Sequence, residues 1–213
     1  MKKISLKIIL AGICSAVLAL GLTACNLGGG DGAAGSSASP AASAFNSIDI
    51  TGVDYAKDFQ LPDTTGKVRS LADFKGKAVV VFFGYTHCPD VCPSTMAEIK
   101  EAKRLLGKDG DKVQGIFITL DPKRDTPHML SQYVPAFDPS FIGLAGSEAQ
   151  TEQLAKDFHI YFKKVYSNGD PEYSIDHTAA AFVYDPQGRI RLYTRYNQGA
   201  DKLAADLKKL LAE

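Results

Sequence analysis

Two cysteines carry the plainest chemistry in this sequence. Cys88 and Cys92 stand in the run GYTHCPDVCP at residues 84–93, each followed directly by a proline, Pro89 and Pro93. Thiolates attack disulfides and bind soft metals, so a close pair supports either chemistry. Were the segment helical, residues four apart would share a face at about 6 Å, within disulfide range. A competing reading makes them two small core residues, because free cysteine is often buried. The flanking prolines, and a position between a strand pattern and a helix pattern, argue against it.

Histidine supplies the next donor type. His177 stands in SIDHT at residues 174–178, directly before an apolar strand pattern. Strand ends of open α/β sheets are where loops converge into sites. Asp176 is placed to orient that imidazole from behind, although neighbours on extended backbone usually diverge. His87 adjoins Cys88, but extended geometry points it away. His128 and His159 fall in helical or helix-end contexts, with no sulfur or acidic cluster nearby. On residues alone the third donor stays open, with His177 the first candidate. Met96 extends the Cys88–Cys92 face by four residues, but methionine at helical spacing is more often core filler, the role expected here. Asp90 is expected as a turn or first-turn acid favoured by the helix dipole rather than as a ligand.

The elements that must position these residues alternate. Residues 78–83 (AVVVFF) form a continuous apolar, β-branched and aromatic run, the pattern of a buried central strand. Apolar residues at helical spacing follow over 93–106, with Pro93 tolerated in the first turn. The cysteines therefore lie at or near a helix N-terminus, where exposed N–H groups and the dipole stabilise thiolate. A second buried strand is expected over 114–120, helices over 126–134 and 147–158, the latter capped by Ser147. Strands over 178–184 and 190–194 flank Asp185-Pro186-Gln187-Gly188, a hairpin turn signal. An amphipathic helix over 200–211 closes the chain. This order implies an α/β, thioredoxin-like central sheet flanked by helices.

The remaining cysteines, Cys14 and Cys25, belong to the N-terminus. Basic residues, an apolar stretch over 8–22 and then small residues follow the order of a secretory signal peptide, and the apolar run is short for a membrane span. Leu22-Thr23-Ala24-Cys25 resembles a bacterial lipobox, which implies a signal peptide over 1–24 and a lipid on Cys25. An uncleaved transmembrane anchor is the alternative, and both export the domain. Residues 26–47 are rich in Gly, Ala and Ser and are expected to form a flexible tether. The globular domain is then 48–213, on the extracytoplasmic (periplasmic) face of a bacterial membrane. Of the 213 residues, 24 are Lys or Arg and 24 Asp or Glu. A zero net charge gives no basic surface for nucleic acid.

Three segments together resemble the Sco/SenC family of copper proteins: FGYTHCPDVCP at 83–93, ITLDPKRDTP at 118–127 and Asp176-His177-Thr178. The likeness extends from about residue 50 onward. It implies a thioredoxin-like fold of peroxiredoxin-like flavour, residues 59–77 resembling the corresponding stretch of those relatives. It implies Cys88, Cys92 and His177 as ligands of Cu(I) or Cu(II), with Cys88 and Cys92 also a redox-active pair. It further implies a part in building the dinuclear copper centre of cytochrome c oxidase subunit II, without catalytic turnover. Two thiolates and an imidazole suit copper or zinc, and a structural zinc site would normally show four ligands. The alternative is a thiol–disulfide reductase that keeps the recipient's cysteines reduced. Ala179 at the position of the usual cis-proline, and three residues between the cysteines instead of two, weaken general disulfide exchange. A peroxidase is weaker still, because no Thr-x-x-Cys pattern is present.

Overall fold

A computed structural model describes residues 44–166 and 172–213. The expected signal peptide, Cys14, Cys25 and most of the tether lie outside the described residues. A short strand β1 (Ile48–Asp49) and a hairpin of β2 (Leu61–Pro62) and β3 (Val68–Arg69) lead to the central strand β4 (Ala78–Gly84). Then follow α1 (Val91–Leu105), β5 (Val113–Thr119), α2 (Pro127–Tyr133), β6 (Ile142–Leu144) and α3 (Glu148–Asp157). A second hairpin, β7 (Phe162–Tyr166) with β8 (Tyr173–His177), precedes β9 (Ala180–Tyr184), β10 (Ile190–Arg195) and α4 (Ala200–Leu210).

Six strands form one sheet in the order β1-β10-β9-β4-β5-β6. β4, β5 and β6 run parallel, whereas β9 pairs with β4 and β10 with β9 antiparallel. This is the expected thioredoxin-like α/β arrangement, with the βαβ unit on one side of β4 and the hairpin on the other. Every residue of β4 is buried, because its alternating side chains feed two cores. Val80 and Phe82 pack with Met96, Ile99, Leu130, Leu203 and Leu207 on one face. Val79, Val81 and Phe83 pack with Phe59, Phe74, Leu154 and Phe158 on the other. Met96 is a core residue, as expected. Its face of α1 begins at Cys92, also fully buried in the same core.

Local signals explain the starts of α2 and α3. Thr126 accepts a hydrogen bond from the Met129 N–H at 3.2 Å, with Pro127 in the first turn of α2. Ser147 and Gln150 form a reciprocal capping box at the start of α3.

Two boundaries differ from expectation. Asn46 and Ser47, placed by composition in the tether, are fastened to the helix α4. The buried Asp206 carboxylate accepts the Asn46 N–H at 2.8 Å and the Ser47 N–H at 2.7 Å. The run of small residues ends at Ala44, and one buried acid is enough to order the residues that follow Phe45. The strand expected from residue 178 begins instead at Ala180, and His177 closes β8, a strand outside the main sheet.

Candidate metal centre

The centre is assembled from the end of β4, the start of α1 and the end of β8. β4 delivers the loop at residues 85–90, and Cys92 falls in the first turn of α1. Cys88 is half-buried and Cys92 fully buried, and both are free thiols. The Cys92 N–H donates to Cys88 Sγ at 3.3 Å. Cys88 thus accepts one of the helix-start N–H groups that have no partner within the helix. Asp90 is exposed just before α1, where its carbonyl and carboxylate receive the Ser94 N–H and hydroxyl at 3.0 and 3.1 Å. It is a turn residue, as expected.

His177 reaches the sulfurs. Its Nε2 lies 3.6 Å from Cys92 Sγ, and its Nδ1 lies 3.0 Å from the Thr178 carbonyl oxygen. A carbonyl only accepts, so this contact places the proton on Nδ1 and leaves the Nε2 lone pair facing the thiol. Phe82 and Tyr85 stand edge-on to the ring at 6.2 and 6.1 Å. Asp176 is exposed, and the hydrogen-bonding partner behind the ring is the Thr178 carbonyl instead. The adjacent carboxylate acts on the imidazole through charge alone, because side chains alternate along β8.

Burial governs the electrostatics. It pushes the Cys92 thiol far up, against a backbone hydrogen bond from Tyr85, so a thiolate there needs a cation or a positive partner. Burial likewise pushes His177 below its ordinary value, with the Thr178 contact and the Asp176 charge opposing, which favours the neutral ring that ligates. The Tyr85 phenol is raised, first by burial and then, partly offset by the Ile175 N–H, by both thiols. Gly84 makes the close packing feasible. A Cβ there would lie 2.8 Å from Cys92 Sγ and 2.9 Å from the Phe117 ring.

Cys88, His177, Tyr85, Asp176 and Ala179 line a groove of about 290 Å³, so Cys88 and His177 open to the surface while Cys92 lies buried behind them. Two sulfurs and an imidazole with a free lone pair suit a soft or borderline cation. Among the described residues no three His, Cys, Asp or Glu side chains stand close enough to enclose an ion as they are. Cys92 and His177 are already in contact, and Cys88 Sγ accepts the Cys92 N–H beside them.

The other histidines lie elsewhere. His87 is exposed, with Nδ1 3.1 Å from Thr86 Oγ1 and 3.7 Å from the Asp125 carboxylate. His128 is exposed in the first turn of α2. His159 stacks on Tyr55 at 4.4 Å, a packing role. Sequence reasoning missed Tyr85, Gly84 and Asp125 as parts of the site. For the last no local signal was available, because its partner Thr86 lies 39 residues away.

The SCO1/SenC family model matches residues 49–212. The chain belongs to the SCO1/SenC family. Among solved members, it is 43% identical to Bradyrhizobium japonicum ScoI with copper bound, over 72% of this chain and 97% of that one, with a TM-score of 0.65. It is 37% identical to apo Sco1 of Thermus thermophilus, over 78% and 96% of the two chains, with a TM-score of 0.69. It is 34% identical to the mitochondrial protein SCO2 homolog of Bos taurus, over 73% of this chain and 59% of that protein. The mammalian SCO2 homologues are therefore longer, and the match spans 59% to 62% of their length.

Proposed function

We propose that this chain is a copper-binding protein, tethered through Cys25 to the extracytoplasmic face of a bacterial membrane, that takes up copper on Cys88, Cys92 and His177. It passes that cargo to a recipient, the dinuclear copper site of cytochrome c oxidase subunit II or a similar acceptor, without catalytic turnover. The observation that carries this reading is the 3.6 Å approach of the His177 Nε2 lone pair to Cys92 Sγ. A dithiol that only exchanged disulfides has no need of that imidazole. Membership of the family, and the ScoI relative solved with copper bound, support the choice of copper over zinc.

The residues divide the work. Cys88 and Cys92 supply soft sulfur donors that suit Cu(I), and His177 adds a nitrogen that makes Cu(II) acceptable. The Thr178 carbonyl holds the ring in the ligating tautomer. Binding displaces the thiol protons, which for the buried Cys92 offsets the cost of forming a thiolate. The open groove leaves room for an acceptor's own ligands.

One observation keeps a second reading in play. An accessible Cys88 beside a buried Cys92 is the asymmetry a dithiol reductant needs. Cys88 thiolate would attack a partner disulfide, and Cys92 would then displace the partner, leaving a Cys88–Cys92 disulfide and two partner thiols. The deciding experiment is a cell lacking the native gene and carrying the His177→Ala chain at low copper. Loss of oxidase activity, eased by added copper, supports copper delivery. Full oxidase assembly with His177→Ala, but none with Cys88→Ser, transfers the role to thiol reduction.

A further inference from the structure

A single turn touches both elements that carry the ligands. Residues 121–125 (DPKRD) follow β5 and close on themselves, the Arg124 and Asp125 N–H groups donating to the Asp121 carbonyl at 3.1 and 2.8 Å. One arm reaches the cysteine loop. The fully buried Asp125 carboxylate accepts from the Thr86 N–H at 2.9 Å, the Thr86 hydroxyl at 2.5 Å and the Thr119 hydroxyl at 2.6 Å. Thr86 lies two residues before Cys88, so two of these bonds fix the backbone and side chain at the root of that loop.

The other arm reaches the histidine hairpin. Arg124 donates from Nη1 to the Tyr173 carbonyl at 2.8 Å, and its guanidinium lies 3.6 Å from the Tyr173 ring centroid. The Tyr173 hydroxyl donates to Asp121 Oδ1 at 2.9 Å, while Arg124 Nε pairs with Asp121 Oδ2. Tyr173 opens β8, and His177 ends it. Of the β8 side chains only Ile175 is fully buried, so apolar packing alone gives this hairpin little purchase. It is seated by Arg124 and Asp121 at Tyr173 and by the Ile175 N–H donating to the Tyr85 phenol, while the Tyr161–Thr178 contacts at 2.9 and 3.1 Å close the hairpin's own base.

A buried carboxylate is costly unless satisfied, and an apolar side chain would fill the same space without that cost. What the charged pair adds is direction: fixed oxygens and a planar fork that hold specific groups at specific distances. We propose that residues 121–125 form a positioning bracket, in which Asp125 sets the Cys88 loop and Arg124 with Asp121 sets the hairpin bearing His177. Together the two arms fix the separation between sulfur and imidazole. This rests on the metal-site reading above, and outer contacts of this kind typically tune affinity by about 10- to 100-fold.

The test separates the arms in the metal-free full chain before any copper is added. The readouts are the Cys88–Cys92 thiol–disulfide equilibrium against glutathione and the His177 ring signals by NMR. Asp125→Asn and Thr86→Val should shift the thiol–disulfide equilibrium about tenfold or more, and either variant suffices if the other fails to fold. Arg124→Lys and Tyr173→Phe should move the His177 signals and leave that equilibrium within about twofold. Asp206→Asn, which loosens a buried clamp on the N-terminal segment, should change neither. Copper affinity should then fall about tenfold or more for both arms. Equal changes from all variants, Asp206→Asn included, or no change in either metal-free readout, would overturn the bracket. A wild-type chain that bound no copper would defeat the functional reading and leave these metal-free comparisons standing.

Discussion

Cys92 Sγ and His177 Nε2 lie 3.6 Å apart although 85 positions separate them in the chain. The contact brings the first turn of α1 against the last residue of β8, and each side chain is shaped for it by its surroundings. Cys92 belongs to the core face of α1, continuous with Met96 and Ile99. His177 turns its lone pair toward the thiol because the Thr178 carbonyl holds its other nitrogen.

The two thiols should differ in reactivity. Cys88 is half-exposed and receives a helix-start N–H, whereas Cys92 is fully buried with its thiol pushed upward. In the reduced, metal-free chain a small alkylating reagent should modify Cys88 first, with Cys92 slower by about tenfold or more. Mass mapping after short exposure checks this. Preferential labelling of Cys92 would contradict the burial described above.

Gly84→Ala should damage the centre without touching a ligand. The added Cβ meets Cys92 Sγ at 2.8 Å and the rings of Phe117 and Phe82 at 2.9 and 3.0 Å. Overpacking of this kind costs about 1–3 kcal/mol. Urea unfolding should show that loss, and copper affinity should fall as well because the sulfur must shift. A variant as stable as wild type would show that the core relaxes around the methyl group.

Much of this was legible beforehand, and the gaps have physical causes. The buried strands β4 and β5 announced themselves as unbroken apolar runs, and the prolines and Ser147 marked helix starts within a residue or two. Cys88 and Cys92 were visible by type and spacing. His177 needed the family resemblance, since on residues alone several histidines competed. The β7–β8 hairpin was missed because its strands are short and mostly exposed: β7 carries paired lysines that break its pattern, and the alternation of β8 is only five residues long with one fully buried side chain. Asp125 gave no local sign of its role, because its partner Thr86 lies 39 residues away. Asp176 looked like the orienting acid by adjacency, but a carbonyl one residue on the other side of His177 takes that place.

Asp63 should make stability depend on acid. Burial alone would raise its carboxyl, but hydrogen bonds from Thr65, Arg69 and the Thr65 and Lys67 N–H groups outweigh that and hold it down to about 2. A carboxylate lowered on folding stabilises above its unfolded value of 3.8, and that stability is lost as pH falls toward 2. Asp63→Asn should therefore be less stable than wild type at pH 7, with the gap closing between pH ~4 and ~2. A gap unchanged across that range would contradict the assignment.

The lipobox resemblance at Leu22-Thr23-Ala24-Cys25 predicts a processed, acylated N-terminus. Mass measurement of membrane-extracted protein should find acyl chains on Cys25. An intact Met1 terminus would contradict it, as would Cys25→Ser protein that is still cleaved at the same bond and stays on the membrane.

The central claim is that both sulfurs and the His177 imidazole hold one copper. Anaerobic copper titration of the reduced full chain tests it most directly, run beside His177→Ala and the pre-oxidised protein. Removing one of three donors should weaken Cu(II) binding by at least about 100-fold while both thiols stay titratable, and a disulfide should weaken binding in either oxidation state. Wild type should take up one copper per chain. Equal stoichiometry and affinity in the wild-type, His177→Ala and oxidised proteins would place the metal elsewhere and contradict the account.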